Sequence, residues 1–142
     1  MHVDGQCHCG RIRYAADADP ALVAICHCTD CQVLTGSPYR VSVVVPATGF
    51  RLLSGEPTWY VKTAESGNRR VHGFCPTCGT PVFARPDSPE PQTYTLRIGN
   101  LAQREALAPR RQIWCRSALP WSKDIGTVPS FERQGTGSDP TR

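Results

Sequence analysis

A chain of 142 residues has the length of a single domain. Its composition, 39% apolar and 20% charged with 12 Gly and 13 Pro, excludes a coiled coil, a long helical bundle and a collagen-like repeat, because turn residues interrupt it too often. The formal charge of +4 comes from 14 Arg and 2 Lys scattered along the chain, adjacent only at Arg69-Arg70 and Arg110-Arg111, so no basic block speaks for a nucleic-acid partner.

Met1–Gly5 has neither the basic nor the apolar region of a secretory leader. The longest apolar stretches, Ala21–Cys26 and Val43–Ala47, fall far short of the ~20 residues that cross a bilayer. A soluble, cytoplasmic domain is expected. The segments Arg11–Ala15, Leu22–Cys26, Tyr39–Val45, Thr58–Thr63, Arg70–Phe74, Pro81–Arg85 and Thr93–Ile98 are short, rich in β-branched or aromatic residues and bounded by turn residues; each reads as a strand. Tyr94, Leu96 and Ile98 should share a buried face. Ser66-Gly67-Asn68 marks a hairpin, and only Thr29–Leu34 and Leu101–Leu107 look weakly helical. Pro86–Pro91 is a loop. Glu132–Arg142 has no apolar anchor and reads as a disordered tail after a domain spanning 1–131. The expected class is all-β.

Eight cysteines without an export signal point to metal or catalysis and away from a disulfide framework. They fall as Cys7-x-Cys9, Cys26-x-Cys28-x-x-Cys31, Cys75-x-x-Cys78, and Cys115 alone. Residues two apart on a strand face the same way, so C-x-C can offer two sulfurs to one ion. Cys75-Pro76-Thr77-Cys78-Gly79 has the build of a zinc knuckle: Pro presets the turn after the first ligand, and Gly after the second can take φ > 0 while N–H groups face the sulfurs. A thioredoxin-like redox pair is the rival, but it should open a helix, which Thr80-Pro81-Val82-Phe83 does not. Cys7 and Cys9 are the natural donors to complete a closed four-thiolate site, the arrangement of a structural ion.

Cys26, Cys28 and Cys31 form a separate group. Three protein ligands with an open position fit a catalytic zinc; a second structural site, closed by His27, Cys115 or a distant side chain, fits the spacing equally. In an extended segment His27 points away from the sulfurs on either side. Cys115, after Trp114 in an apolar strand, reads as a small buried residue. With seven thiolates around two Zn²⁺ the net charge drops to roughly +1, which weakens the nucleic-acid reading further.

Gly5-x-Cys7-x-Cys9-Gly10 with Tyr14, Cys26-His27-Cys28-x-x-Cys31-Gln32, Thr35-Gly36-Ser37, Phe74-Cys75-x-x-Cys78-Gly79-Thr80-Pro81, Ile113-Trp114 and Pro120-Trp121 together resemble the glutathione-dependent formaldehyde-activating family, which also contains centromere protein V. The resemblance runs in order from Gly5 to about Phe131. It implies a tent-like (β-tent) zinc-bound fold of short antiparallel strands, with a structural zinc on Cys7, Cys9, Cys75 and Cys78. The zinc associated with activity would sit on Cys26, Cys28 and Cys31, two ions per chain in all. The implied activity joins glutathione to formaldehyde, formally a carbon–sulfur lyase run backwards. Gln112 stands where many members have His, and His72 where many have Arg, so the substrate side of the pocket is expected to differ.

An open position beside three thiolates could favour the thiolate of an incoming thiol, whose sulfur would attack a small aldehyde held next to it. His27, His72 and Tyr39 are the candidate proton donors, with His27 also readable as a hydrogen-bonding support. Arg40 is the candidate to hold a carboxylate of glutathione or a similar thiol, since a guanidinium fork matches that group. Gln32, Thr35 and Ser37 follow the cysteines closely enough to line the same pocket or to cap a turn. The rival class is a non-catalytic zinc-binding scaffold or interaction module. The expected partners are a small-molecule thiol and aldehyde, with no membrane and no nucleic acid.

Overall fold

Short β-branched and aromatic runs between turn residues fold as strands, as expected from their pattern. The computed structural model describes residues 1–135. Within them lie β1 (His2–Gln6), β2 (Arg13–Asp17), β3 (Ala24–Cys26), α1 (Thr29–Thr35), β4 (Arg40–Pro46), β5 (Arg51–Ser54), β6 (Thr58–Thr63), β7 (Arg69–Phe74), β8 (Pro81–Pro86), β9 (Thr93–Arg97) and β10 (Arg111–Ile113). The fold is mainly β, a β-tent-like arrangement of a three-stranded sheet, β1-β2-β5, against a seven-stranded sheet, β10-β3-β4-β9-β8-β7-β6. Most of the expected tail, 132–142, lies outside the described residues. Among the described residues no helix is long and apolar enough to cross a membrane.

All seven expected strands form, with ends displaced by at most two residues. Leu22 leaves its strand because Pro20 and the Asp19 cap, which accepts from Ala21 N–H at 2.9 Å, set up a one-turn 3-10 helix. Leu101–Leu107 forms no α-helix. Its apolar ends, Leu101 and Leu107, are buried as anchors around a 3-10 turn at Arg104–Ala106. The strands are not all antiparallel: β10 lies parallel to β3, its Ile113 opposite Cys26. The chain reaches β10 after a long excursion past β9, and a parallel neighbour needs such a crossover instead of a hairpin. Cys115 is neither on a strand nor buried. Trp114 takes the left-handed region, φ 57° and ψ 38°, which ends β10 and turns Cys115 outward as an exposed residue in a 3-10 turn.

Alternation divides the large sheet into two chemically different faces. Val43, Val45, Phe83, Tyr94 and Leu96 meet Val3 and Tyr14 of the small sheet in one hydrophobic cluster. The expected common face of Tyr94, Leu96 and Ile98 reaches this core, with Ile98 just beyond the strand end. Phe50 stacks on Tyr94 at 4.0 Å between centroids, and Tyr14 stands edge-on to Phe83 at 5.5 Å. The other face carries Arg40 and Ser42 of β4, Thr95 and Arg97 of β9, and Arg70 and His72 of β7. Register puts Arg40 opposite Cys26 and Arg97 opposite Ser42. That second face positions the site.

Candidate functional site

The β1–β2 and β7–β8 turns bring Cys7, Cys9, Cys75 and Cys78 together, with all four sulfurs within 4.8 Å of one another. Cys7 Sγ lies 3.6 Å from Cys9 Sγ, which lies 3.8 Å from Cys75 Sγ. The knuckle turn closes by Gly79 N–H donating to Cys75 carbonyl at 2.8 Å, with Gly79 at φ +76°, a conformation that its missing Cβ permits. Past it the chain enters β8, not a helix, which removes the redox-motif reading. Ile12 N–H donates to Cys7 Sγ at 3.3 Å. Thr80 joins the two turns: its Oγ1 accepts from His8 N–H at 3.1 Å and lies 3.2 Å from Cys78 Sγ. Its hydroxyl is the first cause that holds the Cys78 thiol down to about 5.

The second cluster is local. Cys26 ends β3, Cys28 caps α1 by accepting Cys31 N–H at 3.3 Å, and Cys31 sits in the first turn. Their three sulfurs also lie within 4.8 Å of one another, with no fourth His, Cys, Asp or Glu in the group among the described residues. Cys26 and Cys31 shift each other's acidity in opposite directions. Hydrogen bonding from Cys26 holds Cys31 down to about 5, helped by the Arg40 charge, while Cys26 is pushed up. The donor chemistry of both clusters fits a soft, tetrahedral ion such as Zn²⁺: four thiolates close one site, and three leave a position open at the other.

Cys26, Cys28 and Cys31 border a 270 Å³ cavity floored by the polar face of the large sheet, including Arg40, Ser42, Arg70, His72, Thr95 and Arg97, with Trp114 on its wall. A second recess of 460 Å³, lined by Trp59, Tyr60 and Phe74, shares Arg40, His72 and Arg97 with it. Arg97 donates to Ser42 Oγ and to His72 Nδ1, each at 3.2 Å. The His72 proton therefore sits on Nε2. Burial first, then the charges of Arg97 and Arg40, depress His72 to about 3, so the ring is neutral. Burial likewise lowers Arg97 to about 9.

His27 is buried and does not line this cavity. Its Nε2 donates to Gln112 Oε1 at 2.7 Å and its ring stands edge-on to Tyr39. Gln112 thereby takes up the imidazole and fixes the β3–α1 junction to β10. Gln32 is a clamp and not a pocket residue, its Nε2 donating to the carbonyls of His27 and Ser117. Thr35 caps α1 by donating to Cys31 carbonyl at 2.7 Å. Of Gln32, Thr35, Ser37 and Arg40, only Arg40 lines the cavity that the three cysteines border. The sequence reading passed over Arg70, Arg97 and Ser42. The available signal was period-two alternation: Arg97 falls on the Thr93-Thr95 side of β9, opposite the apolar side.

These features define a β protein with two cysteine clusters, one closed and one facing a cationic cavity. The chain matches the family model described as glutathione-dependent formaldehyde-activating enzyme over residues 2–117. It belongs to that family. The match stops short of Pro120-Trp121, and Trp121 is exposed. A crystal structure of a Rhodobacter sphaeroides protein, a structural-genomics target, superposes with a TM-score of 0.58 at 20% identity, covering 79% of this chain and 99% of that one, which shows a shared fold. Membership connects the chain in general terms with glutathione-dependent formaldehyde activation.

Proposed function

We propose that this chain is a zinc-dependent carbon–sulfur lyase-type enzyme that adds a thiol such as glutathione to a small aldehyde at Cys26, Cys28 and Cys31. Cys7, Cys9, Cys75 and Cys78 hold a structural zinc in this reading. The observation that carries it is the difference in donor count: three sulfurs open onto a cavity, while four close on themselves at the junction of two turns. Zinc at the three-cysteine centre would supply Lewis acidity that favours the thiolate of the incoming thiol.

The chain's own residues do the positioning. Arg40, paired with Cys26 across β3 and β4, holds a carboxylate of the thiol beside the three sulfurs. His72 is neutral, and its Nε2–H can donate to the carbonyl oxygen as that oxygen gains charge. Holding both reactants in one small cavity supplies most of the remaining gain. In the addition a C–S bond forms and the carbonyl π bond breaks. The thiol proton ends on the former carbonyl oxygen, and no oxidant is required. His27, spent on Gln112, supports the centre and donates no proton to substrate.

The test is NMR exchange between ¹³C-formaldehyde, glutathione and their adduct, with zinc-loaded protein. Wild type should accelerate the exchange, Cys28→Ser should abolish the acceleration, and Arg40→Lys should raise the thiol concentration needed. A folded, doubly zinc-loaded wild type without acceleration would favour the scaffold reading.

A further inference from the structure

Alternation along β4, β7 and β9 places Arg40, Arg70 and Arg97 on one side of the large sheet. Arg40 and Arg97 are only 5% and 8% exposed, and Arg70 is half-buried. Among the described residues none of the three has a carboxylate within ion-pair distance. The neighbouring Lys62 is taken up by Asp30 at 2.8 Å. The partners that Arg97 and Arg70 do have are neutral: Ser42 and His72 for Arg97, and Thr95 Oγ1 at 3.1 Å for Arg70. Nε and one terminal nitrogen of Arg40, Nε of Arg97 and Nε2 of His72 are buried without any partner.

A cation removed from water without a counter-charge is strongly disfavoured, and so is a buried N–H without an acceptor. Three thiolates around one divalent ion carry a single negative charge, which balances Arg40 through Cys31. Arg97 also feels Cys31, but one negative charge set against Arg40, Arg70 and Arg97 leaves two positive charges without a counter-charge. Three guanidinium side chains lining one 270 Å³ cavity match a planar oxyanion of one or two carbons, or the acidic end of something longer.

We infer that Arg97 and Arg70, on either side of His72 in the cavity lining, form a carboxylate subsite facing the three-cysteine centre, filled by an acid group on one of the two reactants. The inference rests on the reading that a thiol and an aldehyde meet at that centre. The acid group has two sources. One is the thiol, as in glutathione; the other is an aldehyde acid such as glyoxylate, which would make small 2-oxo acids the carbonyl substrate class.

The experiment is calorimetric titration of the zinc-loaded full chain, without turnover. The probes are glyoxylate, glycolaldehyde (an uncharged aldehyde of similar size), glutathione and cysteamine (a thiol without a carboxylate). At least one acid-bearing probe should bind saturably and lose about tenfold or more in affinity in Arg70→Gln and Arg97→Gln, as for a lost charged hydrogen bond. The uncharged aldehyde and cysteamine should be indifferent to both substitutions. Loss for glyoxylate assigns the acid group to the aldehyde, and loss for glutathione alone assigns it to the thiol. Arg97 is buried and its variant can fail to fold. The half-buried Arg70→Gln, checked for native circular dichroism and zinc content, therefore carries the decision. No saturable acid binding by wild type, or affinities for both acids unchanged in folded Arg70→Gln, would overturn the subsite. Arginine-dependent acid binding by a protein that does not accelerate the addition would leave the subsite standing and remove the proposed activity; catalysis with arginine-independent binding would do the reverse.

Discussion

Replacing Cys75 by Ser should unfold the protein at room temperature, whereas Cys28→Ser should leave it folded. The two clusters differ in how much chain they close. Cys9 and Cys75 stand 66 positions apart, and their sulfurs lie 3.8 Å from each other. Cys26, Cys28 and Cys31 lie within one turn of chain already held by β3 and α1. An ion that closes the long loop offsets far more chain entropy than one that closes a local turn. Binding of a structural zinc contributes ~10 kcal/mol or more, comparable to the whole stability of a domain, ~5–15 kcal/mol. Serine at Cys75, which is 1% exposed, also buries a hydroxyl at a cost of about 1–3 kcal/mol if it is unpaired. At Cys28 the serine oxygen can still accept Cys31 N–H as a helix cap. Circular-dichroism melts of zinc-purified variants should show no cooperative transition for Cys75→Ser and a midpoint lowered by only about 3–7 °C for Cys28→Ser, as for a loss of about 1–2 kcal/mol. Equal destabilisation of the two would refute the division into structural and reactive centres.

Elemental analysis of protein purified without chelator should give two zinc ions per chain, because four plus three sulfurs converge. A ratio near one with Cys26, Cys28 and Cys31 as a disulfide or free thiols would contradict the second site. Gly5→Ala should cost ~1–3 kcal/mol, because its Cβ would stand 2.1 Å from Tyr14 Cζ, in a ring 1% exposed and boxed by Phe50 and Phe83. Gly73→Ala, whose Cβ meets the 40% exposed Trp59 at 2.9 Å, should cost less than about 1 kcal/mol; urea midpoints that rank the two in the other order would break the packing account. His72 should stay neutral with its proton on Nε2 well below pH 6, as ¹⁵N-ring NMR reads. Its folded value is depressed to about 3, so it contributes stability that is full above the unfolded value, ~6.5, and is lost as pH falls toward 3. A ring midpoint above 6 would contradict it.

Where residue type and local spacing carry the information, the sequence was readable. Thr58–Thr63 and its hairpin partner formed as expected, and the sulfurs of Cys7 and Cys9 lie with those of Cys75 and Cys78. β1 was missed because Asp4 and Gly5 interrupt it; pairing with β2 and a bridge from Gly5 to Leu101 hold it extended. β5 and β10 are too short for periodicity to show and exist through their neighbours β2 and β3. Cys115 was misread because nothing in a Trp side chain signals the left-handed backbone at Trp114. Arg97 was invisible for a different reason. An arginine in a strand reads as a solvated face, and only the register of β4, β7 and β9 reveals that this face is buried.

The central claim is that a thiol binds at the three-cysteine centre and nowhere else on the chain. Cobalt-substituted protein reports it directly, since its visible bands register thiolate coordination. Added glutathione should perturb the bands lost in Cys28→Ser and leave unchanged those that this variant retains. No change at millimolar glutathione with both clusters filled, or a change that persists in Cys28→Ser, would contradict the account.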